Sequence, residues 1–286
     1  MKFGFIQLAT MRFTIFGTKR HFFMNRDEII KNCRILLVAY QNGELGQTKM
    51  PEESHPVFAD NEIEERLVYF TLPMALNYQR DSYKLWQAAL ATYNDQATKK
   101  VFSLSGAAVM NSVDLRECLT KYKLALQPNR HIEIWQKIAK TIFQKWQTLE
   151  NLLQAANYDF LKLRDIIQKD YRQGFPYLSG PKIFNYWSFI IGAYGQAPLV
   201  NRNFIEIAPD THITKCLVIL GVISENEAQK LSKSQISQKW RELLDDSGIA
   251  PIDLHPPLWF WSRNGFIFKL KNNGGSFPVS LEIKTK

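Results

Sequence analysis

A chain of 286 residues is long enough to bury a large core, as one big helical domain or as two lobes sharing a cleft. Its 36 Lys and Arg against 27 Asp and Glu give a formal charge of +9, which disfavours a basic partner and favours a polyanion such as nucleic acid. The three cysteines, Cys33, Cys118 and Cys216, stand apart without a Cys-x-x-Cys pair, which excludes a disulfide framework or a four-cysteine cluster and suits a reducing, cytoplasmic setting.

Residues 1–24 are basic and aromatic and lack a small-residue cleavage site after a continuous apolar core, so they read as an N-terminal arm or extension, not a secretory signal. Asn25-Arg26-Asp27-Glu28 is a cap with an acidic first turn, and Ile29, Ile30, Cys33, Leu36, Leu37 and Tyr40 continue it as an amphipathic helix up to Gly43. Gly46 to Asp60, polar and proline-bearing, predicts a surface loop. A second helix is expected from about Glu62, interrupted or restarted at Pro73, and ends in the polar run Asn77-Tyr78-Gln79. Asp81 caps the next helix, from Ser82 to Tyr93, and Ser112 caps one running through Tyr122. Pro128-Asn129 restarts the chain into a helix opened by Arg130 and His131, and Leu149 to Ile167 adds further helical material.

After the central stretch described below, Ser232 opens a helix that buries Ile236, Trp240, Leu243 and Leu244 and stops at Gly248. Ala250 to Trp261 is dense in proline and aromatic residues. From Phe266 onward the residues alternate about an Asn-Asn-Gly-Gly turn, which predicts a small β-hairpin. The expected architecture is mainly α: a helical domain over 25–265 with two lobes around a cleft, and a strand-like tail over 266–286. Charges interrupt every apolar run, so no membrane span is expected.

The chain turns on Gly174 to His212. Pro176 and Ser179-Gly180-Pro181 end one helix and begin another, in which Ile183, Tyr186, Trp187, Ile190 and Ile191 recur at helical spacing. Lys182 therefore falls in a first turn whose backbone N–H groups lack helical acceptors, which is either a solvated corner or a seat for a phosphate. Pro209-Asp210-Thr211-His212 precedes an apolar helix closed by Gly221. Asp210 is thus an N-cap, and the same cap can hold an ionised carboxylate facing a cleft, where it would stabilise a developing oxocarbenium ion.

Leu178-Ser179-Gly180-Pro181-Lys182 followed by Asp210-Thr211-His212-Ile213 resembles the helix-hairpin-helix (HhH-GPD) DNA glycosylases, whose hairpin reads roughly L-P-G-V-G-x-K and whose catalytic aspartate opens a V-D-T-H helix. The hairpin here, about residues 174–190, lacks the second glycine. The long Lys182 to Asp210 interval is similar to that of the archaeal 8-oxoguanine branch. The resemblance implies a two-lobed helical fold, Lys182 as amine nucleophile and Asp210 as essential acid. It also implies that Gly180 and Ser179 grip phosphate, that Gln79 and then Asn77 enter the DNA at the extruded base, and that Arg130 contacts phosphate. Tyr78, Trp187, His255 and Trp259 would border the base. With no cluster cysteines and no metal set, no cofactor is expected, and the partner implied is duplex DNA carrying a modified base, bound by a monomer.

Two other functions stand beside this one. A queuosine-salvage-like glycosidase acting on a modified nucleoside or nucleotide would keep Asp210 and need no DNA-gripping hairpin. A non-catalytic DNA-binding protein would use Asp210 only as a cap. For a glycosylase, 8-oxoguanine or a hypermodified base of foreign phage DNA are the targets considered.

Overall fold

The computed structural model describes residues 25–46 and 49–270. The expected N-terminal arm, 1–24, and residues 271–286 of the expected hairpin lie outside the described residues, while residues 266–270 follow the last helix in turn and irregular structure.

The described chain is mainly helical. Thirteen α-helices follow one another: α1 (Arg26–Gln41), α2 (Ile63–Ala75), α3 (Ser82–Asn94), α4 (Leu104–Val109), α5 (Ser112–Lys121), α6 (Pro128–Trp146), α7 (Leu149–Ala155), α8 (Phe160–Asp165), α9 (Pro181–Ala193), α10 (Thr211–Ile219), α11 (Glu225–Lys230), α12 (Lys233–Leu244) and α13 (His255–Arg263). Strand pairing among the described residues is limited to one parallel bridge between Asp159 and Val200.

Local chemistry sets most of the boundaries. Asn25, Asp81 and Ser232 cap α1, α3 and α12 as expected, each accepting backbone N–H groups of the first turn. The cap of α5 is Asn111, whose Oδ1 accepts from Val113 and Asp114, so Ser112 is already the first helical residue. Pro73 does not interrupt α2. It sits in the last turn, where it withholds an N–H from the Tyr69 carbonyl, and the helix still closes beyond it with the Leu76 and Asn77 amides on the Pro73 and Met74 carbonyls at 2.9 and 3.0 Å. The helical material after Leu149 is broken in two at Asn157 and Tyr158, both left-handed, after which Asp159 caps α8.

The larger correction concerns the segment from Gly46 to Asp60. Met50, Pro51 and Glu52 are buried in and beside a 3-10 turn, Pro51–Glu53, against α3 and α9, so this part of the polar-looking loop enters the interior, while Val57, Ala59 and Asp60 stay exposed as expected. Its sequence alternates polar and proline residues without a helical or strand period, and burial here follows from contacts distant in sequence.

Two groups of helices flank a groove. In one, α2 packs with α3, α6, α7 and α9. In the other, α1 lies against α12 and α13: Arg26 and Arg34 donate to the Leu243 and Ser247 carbonyls at 3.0 and 2.9 Å, and Asn264 donates to Leu45 O at 2.9 Å.

Trp187 belongs to the core between α2 and α9, not to a pocket. It is fully buried, and its indole N–H donates to Thr71 Oγ1 at 2.9 Å, while Thr71 Oγ1 in turn donates to Leu67 O at 2.7 Å. Because α9 is apolar on nearly every side, its period alone does not distinguish core from cleft. Trp187→Phe is expected to leave Thr71 without that donor and to lower unfolding stability by about 1–3 kcal/mol in urea titration. A change in ligand affinity without a change in stability would contradict the core assignment.

Candidate functional site

One cleft of about 390 Å³ opens between the two groups. Five separate segments line it: Met50 and Pro51, the stretch from Met74 to Tyr83, α9 at Lys182 to Tyr186, the loop from Glu206 into Asp210, and Ile252 to Arg263. Of the residues singled out in the sequence, Asn77, Gln79, Lys182, Asp210, His255 and Trp259 all border it.

Asp210 is the N-cap of α10. Its Oδ1 accepts the Ile213 amide at 2.9 Å, which orients the carboxylate, and it is only partly buried at the cleft. Lys182 stands in the first turn of α9, exposed, and no ion pair engages it among the described residues. That helix starts with Gly180 as N-cap and Pro181 as first residue, without a side-chain cap, so the Lys182 and Ile183 amides remain open donors. The turn before it is closed by the Ser179 and Gly180 amides on the Phe175 and Tyr177 carbonyls, both at 2.9 Å. Gly180 has an ordinary extended φ of −70°, and a Cβ there would meet the Tyr177 carbonyl oxygen at 3.1 Å; the left-handed residue of this turn is Tyr177, at φ 63°.

His255 connects the two charged groups. Burial holds its imidazole neutral, down to about 4, with Lys182 pushing the same way and Asp210 opposing. Its Nδ1 is enclosed without a hydrogen-bond partner. A satisfied core histidine would have one, so this nitrogen is an orphaned polar atom in the wall of the cleft.

At the mouth, Gln79 adopts a left-handed backbone (φ 52°) that turns an exposed amide side chain to the cleft after α2. Asn77 is tied to the same turn through Ser82, with its Nδ2 3.1 Å from Ser82 Oγ. Tyr78 is not among the residues that line the cleft; its ring packs tilted against Tyr177 at 5.0 Å, and the Arg130 guanidinium covers Tyr177 at 4.8 Å. These two residues therefore form a cation–aromatic rim and not a pocket wall.

Other groups in the cleft carry no sequence signal of the kind used above. Arg263 lies over both Trp259 (4.6 Å) and Tyr83 (5.5 Å), a planar cation held at the opening. Arg80 donates to the Leu124 and Lys123 carbonyls at 2.8 and 3.3 Å, and desolvation lowers its guanidinium to about 10. Tyr186, read in the sequence as one more apolar position, lines the cleft and meets the His255 ring edge-on at 5.0 Å.

No group of three or more His, Cys, Asp or Glu side chains suited to a metal ion occurs among the described residues, and the three cysteines are buried on separate helices. No described helix is long and apolar enough to cross a membrane. A second concavity is lined by Arg241 and residues between Leu244 and Pro251; Arg241 pairs with Glu206 (3.1 Å), and the Asp245 carbonyl accepts from Arg26 of α1.

Comparison with protein-family models, with curated proteins and with solved structures finds no match.

Proposed function

We propose that this chain is a DNA glycosylase of the helix-hairpin-helix kind, with a two-lobed fold, that draws a modified base out of a duplex and breaks its bond to the sugar. The observation that carries this reading is the convergence of Asp210, Lys182, His255, Trp259 and Gln79, from distant parts of the sequence, on one cleft of about 390 Å³. That volume lies within the range that encloses a small organic ligand such as one nucleobase with its sugar.

In this mechanism the open amides of the first turn of α9 and the Arg130 rim hold the phosphodiester backbone, and Gln79 fills the stack vacated by the extruded base. Trp259 supplies a face for the base, with the Arg263 guanidinium 4.6 Å from the indole ring centre. As the glycosidic bond lengthens, positive charge grows on the sugar, and the Asp210 carboxylate beside it lowers the energy of that cation. Lys182, as the free amine, attacks C1′ and the base leaves with the bonding pair; the nitrogen then sheds a proton, the C1′–O4′ bond opens with protonation of O4′, and the Schiff base so formed opens a route to strand cleavage at the abasic site.

The test is incubation with duplexes carrying 8-oxoguanine, uracil, a bulky modified cytosine or an abasic site, followed by alkali cleavage and, in parallel, borohydride trapping. Base release on at least one duplex is expected, together with a covalent crosslink. The absence of alkali-sensitive sites and of crosslinks on every duplex would overturn the proposal and favour salvage of a free modified nucleoside.

A further inference from the structure

Glu52 is a fully enclosed carboxyl group on the Pro51–Glu53 turn, with no cation paired to it among the described residues. Such a group is costly to bury and has to be accounted for. Its Oε1 accepts the Tyr186 hydroxyl at 2.6 Å, and its Oε2 is buried without any partner. The groups facing it are tyrosines and an acid: Tyr186 and Tyr194 from α9 and its end, Tyr40 from α1, and Glu53 on its own turn. Its neighbours Met50 and Pro51 line the cleft, as do Tyr186 and His255, so the carboxyl lies directly behind the cleft wall, one tyrosine away from the orphaned His255 Nδ1.

We propose that Glu52 is a positioning residue whose protonation sets the hydrogen-bond direction of Tyr186, and with it the ability of the Tyr186–His255 wall to read an acceptor-bearing edge of a nucleobase. Ionised Glu52 is an acceptor only and fixes the Tyr186 hydrogen on Oε1. Protonated Glu52 can instead donate to the Tyr186 oxygen, which releases the phenolic hydrogen from Oε1. Burial raises the Glu52 carboxyl to about 7, so both forms are populated in ordinary buffers. The wall's role on a base rests on the glycosylase reading; the coupling of Glu52 to His255 does not.

The experiment has two arms on the full chain. In the first, the His255 ring resonances, assigned by their loss in His255→Asn, are followed against pH in the wild type and in Glu52→Gln. A step in the His255 shift centred near pH 7 in the wild type and absent from Glu52→Gln is expected, since the imidazole itself titrates near 4. In the second arm, single-turnover base release is measured from pH 5.5 to 8.5 on the duplex that gives product, with pH values chosen around the Glu52 midpoint, about 7. The wild-type rate is expected to fall about tenfold per pH unit above that midpoint; Glu52→Gln, fixed as a neutral donor, loses this limb, and Tyr186→Phe is slow throughout with no limb.

A His255 step that is missing, or that survives in Glu52→Gln, would overturn the proposal even if base release is strong. The expected step with no product on any duplex would leave the Glu52 coupling standing and overturn the glycosylase reading and the base-reading role together. Product with an alkaline limb unchanged in Glu52→Gln would remove Glu52 from the wall's function.

Discussion

Asp210→Asn is expected to lower base release by about 10³-fold while leaving the fold unchanged. The reason lies in the separation of two roles in one side chain. Asn is as good an N-cap as Asp, so its amide oxygen can still accept the Ile213 amide now bonded at 2.9 Å, and α10 should keep its start. What is lost is the negative charge at the cleft, and with it the stabilisation of a cationic sugar. Single-turnover release and thermal denaturation measured on the same preparation separate the two. Wild-type rates in Asp210→Asn would reduce Asp210 to a cap, whereas loss of both activity and stability would require Asp210→Ser, which keeps a capping oxygen without charge, to decide.

Lys182→Gln is expected to reduce borohydride trapping on an abasic duplex to background. Lys182 is suited to this role by placement: it stands in the uncapped first turn of a thirteen-residue helix, exposed at the cleft and free of any ion pair among the described residues. Gln keeps length and polarity and removes the amine, so duplex binding should weaken only modestly, by the loss of one cation, while covalent capture disappears. Crosslinks that persist would assign the nucleophile to another amine. Base release that continues without crosslinks would show water attacking in place of Lys182.

The local parts of this molecule were legible in the amino-acid order. Asn25, Asp81, Asp210 and Ser232 each precede an apolar period, and a side-chain oxygen that satisfies its own helix needs nothing from elsewhere in the chain. The non-local parts were not legible. Glu52 sits in a stretch that reads as solvent-facing, and it is buried by elements distant in sequence, α3 and α9, with Tyr186 reaching it from 134 positions away. Trp187 and Tyr186 are adjacent on α9, yet one ends in the core on Thr71 and the other at the cleft, a distinction that an almost wholly apolar helix cannot display in its period. Tyr78 follows Asn77 and precedes Gln79, both of which reach the cleft, but the left-handed turn at Gln79 and the facing Tyr177 ring carry it onto the rim. Arg263 and Arg80 became visible only through the partners that orient them, Trp259 and Tyr83 for one and the Lys123 and Leu124 carbonyls for the other.

The contact of α1 with α12 and α13 has a consequence for the order of assembly. Arg26 bonds to the Leu243 carbonyl across 217 positions, so the group of helices that includes α10 is completed by the first and last described helices together. During synthesis α1 leaves the ribosome early and must wait, its apolar face uncovered, until α12 and α13 have followed. The wall that includes His255, Trp259 and Arg263 is made at the same moment. A nascent chain thus has no finished cleft until α13 has been made, and closing so long a loop makes this docking a late step of folding.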